Sequence, residues 1–156
     1  MTILLHHAPV PSKDPEASAE WFARVMNKPR EGNAVRLNDL QVLEFVAHGP
    51  HSGQGGERHF CFRVGNQQFD ELLERVRAEG ITIRSDPGGA LHPESATKPM
   101  GVINYYHYGR GFYFSSPDGH GFEAITMPYL RGVHSEQRAN ADNNPVDRME
   151  QRVRSS

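Results

Sequence analysis

A histidine on a short apolar strand occurs twice in this chain, and the recurrence constrains the fold more than any other feature. His7, in Ile-Leu-Leu-His-His-Ala, returns as His59, in Arg-His-Phe-Cys-Phe-Arg-Val, after a shift of 52 residues. The residue that opens the following helix shifts with it, from Asp14 to Asn66. Ile3 to Val10 reads as the first strand. Asp14 is a good N-cap, Pro15 suits the first helical position, and Glu16 complements the positive helix start. Trp21, Phe22, Val25 and Met26 then form an apolar stripe at helical spacing. Ala34–Leu37 and Gln41–Ala47 read as a hairpin about Asn38-Asp39. In the second copy Phe69, Leu72, Leu73 and Val76 make the stripe, and Gly80 is a natural residue to stop the helix. Ile81 to Arg84 begins the next strand. The expected class is therefore α+β: two βαβββ modules whose paired, curved, mixed sheets carry both histidines toward one metal cavity.

The strongest local signal is Gly111-Phe-Tyr-Phe-Ser-Ser-Pro-Asp-Gly-His-Gly-Phe-Glu123. Asp118-Gly119 marks a hairpin turn, because glycine accepts the positive φ such turns need. Alternation puts Phe112 and Phe114 on one face and Tyr113 on the other. It also puts Glu123 on the face opposite Phe122 and Ala124. A carboxylate on an inward face is costly unless a cation meets it. Two histidines and one carboxylate, His7, His59 and Glu123, are the ligand set of a facial metal site with open positions.

The chain of 156 residues is one domain by size. We place it at residues 1–129, with modules 1–47 and 58–129 joined by the Gly-, Ser- and His-rich linker 48–57. Residues 86–101 read as a long loop rich in Gly and Pro. Residues 130–156 lack Leu, Ile and Phe after Leu130 and read either as disordered or as an arm on a partner subunit. A net charge of −2 offers no basic footprint for nucleic acid. No apolar run approaches the ~20 residues of a membrane span, and the start of the chain has no signal-peptide pattern. One cysteine, Cys61, excludes an internal disulfide and suits a reducing cytoplasm. Nine histidines are the one compositional excess.

The opening His7-Ala-Pro-Val-Pro-Ser-Lys-Asp14 and the close Tyr108-Gly-Arg-Gly-Phe-Tyr-Phe-Ser-Ser-Pro-Asp-Gly-His-Gly-Phe-Glu-Ala-Ile-Thr-Met-Pro-Tyr129 resemble the vicinal oxygen chelate superfamily. That superfamily includes glyoxalase I, bleomycin-binding proteins, fosfomycin-modifying enzymes and type I extradiol dioxygenases. The resemblance spans residues 3–129 and selects His7 over His6, its neighbour on the opposite strand face. The close looks most like the small oxygenases typified by the chartreusin-biosynthesis enzyme, which handle polycyclic aromatic polyketides. This implies a divalent metal, Fe(II), with O₂ as co-substrate.

The same resemblance colours the other candidates. Glu44, in Val-Leu-Glu-Phe-Val, is the first-module equivalent of Glu123. In glyoxalase I the ligands run His-Glu-His-Glu, so Glu44 is either a fourth ligand and base or a plain ion-pair partner of Arg36. Tyr113 matches a tyrosine that hydrogen-bonds substrate oxygen in the extradiol enzymes; the plain alternative is a buried aromatic. The acid–base histidine of those enzymes falls at Asn104, and His107 is a possible substitute. Tyr105, Tyr106 and Tyr108 are candidate stacking walls for a flat substrate, and Arg110 a candidate anchor for a phenolate or carboxylate. Cys61 shares the face of His59 by parity and is taken as a small buried residue.

Three functions compete. The leading expectation is an Fe(II) oxygenase. The second is redox-neutral catalysis of the glyoxalase or epoxide-opening kind with Ni, Zn or Mn; Pro9 stands where the fosfomycin enzymes use a threonine, which weakens the antibiotic-modifying version. The third is a drug-binding module without catalysis, against which the three ligand residues count. A homodimer is expected, since the modules leave sheet edges and the tail has no core of its own.

Overall fold

The computed structural model describes residues 5–49, 56–86, 103–105 and 109–127. The chain divides into two compact units. One runs to His59 and includes Ser115–Gly121; the other comprises Phe60–Phe114 and the chain from Phe122 onward.

The first unit holds β1 (His7–Ser12), α1 (Pro15–Met26), β2 (Arg30–Glu31), β3 (Ala34–Asn38) and β4 (Gln41–Ala47), the expected βαβββ order. Its sheet runs β1-β4-β3-β2, with β1 parallel to β4 and the other pairs antiparallel. The expected cap is present: Asp14 accepts a hydrogen bond from the Ala17 N–H at 3.0 Å, with Pro15 next to it. Phe22, Val25 and Met26 of α1 are buried, as are Val10, Val35, Leu43 and Phe45 of the sheet. The Phe22 and Phe45 rings lie 5.5 Å apart. Burying each such side chain contributes roughly 1.5–3 kcal/mol. Asn38 pairs with Gln41, so the hairpin loop is Asp39-Leu40, one residue later than the sequence implies. Asn38 closes that loop by accepting from the Leu40 N–H and donating to Gln41.

The second sheet is β5 (His59–Arg63), β7 (Gly121–Ile125) and β6 (Gly111–Ser115), in the order β5-β7-β6. Its helix α2 (Asn66–Ala78) buries Phe69, Leu72, Leu73 and Val76 as the stripe requires. Gly80 follows it with φ +69°, the left-handed conformation a helix stop needs. Asn66 is not the cap. It is the first helical residue, after Gly65, so the repeated histidine-to-cap spacing does not hold at the level of hydrogen bonds. The expected strand from Ile81 is reduced to single bridges, Arg84 to Tyr113 and Asn104 to Gly111. Phe60, Phe62, Phe112, Phe114 and Phe122 pack ring against ring on the helix side of the sheet, and Phe69 meets Phe112 edge-on. The tail, most of the linker and nearly all of the 86–101 loop lie outside the described residues.

Candidate functional site

With the aromatic residues on the helix side, alternation sends the intervening side chains of the second sheet to its other face. The hairpin register fixes which of them meet. Thr126 N–H bonds the Arg110 carbonyl and Ser116 N–H bonds the His120 carbonyl. Counting inward from both ends sets Tyr113 directly opposite Glu123. On the other side, Gly121 N–H bonds the Arg58 carbonyl and Val64 N–H bonds the Ile125 carbonyl, the pattern of a parallel pair. That register sets Cys61 beside Glu123. Arg84 exchanges both backbone hydrogen bonds with Tyr113, at 2.8 and 2.9 Å. Cys61, Glu123, Tyr113 and Arg84 therefore form one row across the sheet. Arg84 was not singled out in the sequence; its only signal was a place at the end of a weak strand.

Glu123 is 3% exposed and Tyr113 7%. Cys61 is exposed along the β5 edge, which corrects the expectation of a buried cysteine. By register it shares the sheet face of Glu123. Burial pushes the thiol up to about 12, aided by the charge of Glu123 and by a hydrogen bond to that carboxylate. His59 begins the same strand two residues earlier, and its Nδ1 lies 3.4 Å from where a Cβ on Gly121 would stand. A side chain at Gly121 would crowd that ring.

In the first unit, His7 and Glu44 are exposed. Register pairs His7 with Val42 and Pro9 with Glu44, so all four share the face away from α1. His6 and His7 do not part to opposite faces as an extended strand would require. β1 begins only at His7, and the two Nδ1 atoms lie 3.0 Å apart with the rings edge to face. Among the described residues, no three His, Cys, Asp or Glu side chains gather closely enough to hold one ion. His7 and His59 belong to the first unit and Glu123 to the second. Two imidazoles and a carboxylate are the donor types a divalent metal takes in a facial site.

Two turn residues that the sequence reading used only as hairpin markers have larger roles. Asp118 accepts from the Lys13 N–H at 3.2 Å and from the Ser18 hydroxyl at 2.5 Å. Burial pushes its carboxyl up, but Ser18, Lys13, His120 and Ser12 outweigh that and hold it below its ordinary value. His120, 3% exposed, accepts from the Arg58 N–H at Nδ1 and so donates from Nε2 to the Pro11 carbonyl at 2.5 Å. The Pro-Asp-Gly-His turn thus ties β1, the start of α1 and the approach to β5 together.

Other candidates are committed elsewhere. The Arg110 guanidinium pairs with Asp70 at 2.6 Å, bonds the Asn66 carbonyl and lies 4.5 Å from the centre of the Phe69 ring. It holds the start of α2 to the sheet, the job that makes an anchoring role for Arg110 costly. Asn104 is 4% exposed and donates to the Ser85 carbonyl. A Cβ at Gly111 would come 2.6 Å from its Oδ1, so Asn104 is packed against backbone. Tyr105 is exposed. Tyr106, His107 and Tyr108 lie outside the described residues.

The comparisons agree with this architecture. No family model matches the chain, and no curated protein matches it. Solved structures do. The oxidase ChaP-H1 is 31% identical with a TM-score of 0.68, over 83% of this chain and 100% of that one. The oxidase ChaP-H2 is 30% identical with a TM-score of 0.69, over 85% and 100%. The fosfomycin resistance protein FosX from Mesorhizobium loti, 18% identical with a TM-score of 0.51 over 83% and 95%, shares the fold. The chain belongs to the vicinal oxygen chelate superfamily. ChaP-H1 and ChaP-H2, each at 30% identity or above, are both oxidases. No helix among the described residues is long and apolar enough to cross a membrane.

Proposed function

We propose that the protein is an Fe(II)-dependent dioxygenase acting on a polycyclic aromatic phenol of polyketide type, cleaving a C–C bond or rearranging a ring. One observation carries the reading: Glu123, buried between Cys61 and Tyr113, in a chain that matches an oxidase over that oxidase's full length. His7, His59 and Glu123 are the residues proposed to hold the metal. When bound, it supplies Lewis acidity and a redox partner for O₂ at open positions. The substrate supplies all the electrons and both oxygen atoms enter the product, so no separate reductant is required.

The chain's own groups orient and exclude water. Tyr113, directly opposite Glu123 in the hairpin, is the residue proposed to hydrogen-bond a phenolic oxygen and stabilise the charge that develops there. Phe112, Phe114 and Phe122 on the opposite face are fully buried, and a low-dielectric surround strengthens such a hydrogen bond. A second copy of the chain is the proposed cover for the first sheet's open face, where His7, Pro9 and Glu44 are exposed and Val42 and Val46 half-buried. Sedimentation showing a monomer at micromolar concentration would remove that element.

The test is metal analysis of protein purified without oxygen, followed by O₂ uptake with a polycyclic phenol. The expected result is about one iron per chain and uptake dependent on it. Turnover that continues without O₂ and is supported by Ni or Mn would overturn the reading.

A further inference from the structure

We propose that His120 is an acid-sensitive latch: its neutral ring clamps Arg58 to the turn at residues 116–121, and its protonated ring lets Arg58 go while keeping its hold on β1. The latch needs neither the proposed metal nor the proposed substrate. Two hydrogen bonds of one buried ring carry it. Nε2 faces the Pro11 carbonyl, which can only accept, so Nε2 bears a proton. Nδ1 faces the Arg58 N–H at 3.1 Å, which can only donate, so Nδ1 is bare. The fold thus selects the neutral ring and one of its two tautomers. A second proton has one place to go, Nδ1, where it would stand against another N–H.

Exposure decides what gives way. His120 is 3% exposed whereas Arg58 is exposed, so the Arg58 N–H can turn to water more readily than the ring can. The Arg58 carbonyl stays bonded to the Gly121 N–H, which confines the release to the chain before it. The bond from Nε2 to Pro11 survives, since the ring donates there in both charge states. Asp118 on the same turn, held below its ordinary value by Ser18 and the Lys13 N–H, stays ionised and attracts the charged ring. The other ionisable groups of the neighbouring segments are Lys13, Asp14 and Glu16 on the side of β1 and α1, and Glu57, Arg58 and His59 on the side of β5. All six are exposed, so water and salt screen them, and the bonding pattern of the ring sets the state that the fold keeps.

The test is NMR of the full-length protein at about pH 7.5 and about pH 5.5, on either side of the ordinary imidazole value of about 6.5. Ring nitrogen shifts of His120 are expected to show a bare Nδ1 at the higher pH and two protonated nitrogens at the lower. Amide hydrogen exchange of Arg58, corrected for the intrinsic effect of pH, is expected to lose about 10-fold of protection over that step. Lys13, whose N–H bonds Asp118, is expected to keep its protection. In His120→Asn the side-chain oxygen replaces Nδ1 and takes no proton, so the acid response of Arg58 should vanish; His59 is intact there and controls for a neighbouring histidine. A ring still neutral at the lower pH overturns the proposal, as does a proton on Nδ1 at the higher. Arg58 protection unchanged by acid overturns it too, and so does an equal loss at Lys13, which marks general opening. A response that persists in His120→Asn assigns the effect to another group and overturns the latch. The native measurements decide alone should that variant fail to fold.

Discussion

The two sheets of this chain share a plan and differ in what stands on it. Across the first, the central strand carries Glu44 between Pro9 and Ala34. Across the second, it carries Glu123 between Cys61 and Tyr113. Glu44 is exposed and Glu123 is 3% exposed. The backbone geometry repeats, with a parallel neighbour on one side and an antiparallel one on the other, yet only the second glutamate has polar side chains on both flanks. A repeated scaffold can thus keep its strands while the side chains beside its central glutamate, and that glutamate's burial, differ. The contrast is between an exposed and a buried carboxylate at equivalent places in the two sheets.

The largest test of that contrast is Glu123→Ala. It removes the one anionic residue of the three proposed ligands, so metal content and O₂ uptake are expected to vanish together, with residual iron read by elemental analysis. Loss of activity with full iron would move Glu123 from ligand to another role. Next in size is Tyr113→Phe, which deletes a hydroxyl and keeps the buried ring. Iron should be retained while kcat falls by about 10²–10³, the usual cost of losing a donor aimed at developing charge. A change confined to KM would show that Tyr113 only binds substrate.

A smaller effect separates the hairpin's turn from its strands. Asp118 is held below its ordinary value by Ser18 and the Lys13 N–H against the opposing effect of burial. A depressed carboxyl contributes stability above the unfolded value of about 3.9, and that contribution is lost as pH falls through the lower folded value. Asp118→Ala should therefore cost about 1 kcal/mol near neutral pH, a figure reduced for the group's exposure, or a few degrees in Tm. The deficit should shrink below about pH 4. Thermal midpoints measured across that range check both the size and the sign; a deficit that grows in acid would contradict the assignment.

Much of this was legible in the sequence because its signals are local. Asp14-Pro15 announces a helix start, the apolar stripes name the buried faces of α1 and α2, and Asp118-Gly119 names the turn. Alternation within one strand also put Glu123 and Tyr113 on the face away from the phenylalanines. What stayed hidden depends on register between distant strands. Nothing near Cys61 in the sequence says that it lies beside Glu123. Arg110 read as either a candidate anchor or a solvated arginine, because Asp70, Asn66 and Phe69 reach it only once α2 packs on the sheet. His120 read as a turn residue, although both of its ring nitrogens are engaged by backbone more than 60 residues distant in sequence.

The smallest expected effect decides most between the two functions. Glu44→Gln changes a carboxylate that is exposed and flanked by Pro9 and Ala34, neither of which offers it a side-chain donor. Substitutions at such exposed positions usually stay within about ±0.5 kcal/mol in stability, so the variant should fold and bind iron as native does. If oxygen chemistry with three ligands is right, O₂ uptake should also be close to native. If Glu44 is instead a fourth ligand and base, the amide can neither neutralise the metal's charge nor take a proton. Activity should then collapse, and metal affinity should fall with it. Steady-state rates and metal titration on this one variant therefore test whether the first sheet's glutamate shares the role of the second's, or whether duplication left it as an ordinary surface residue.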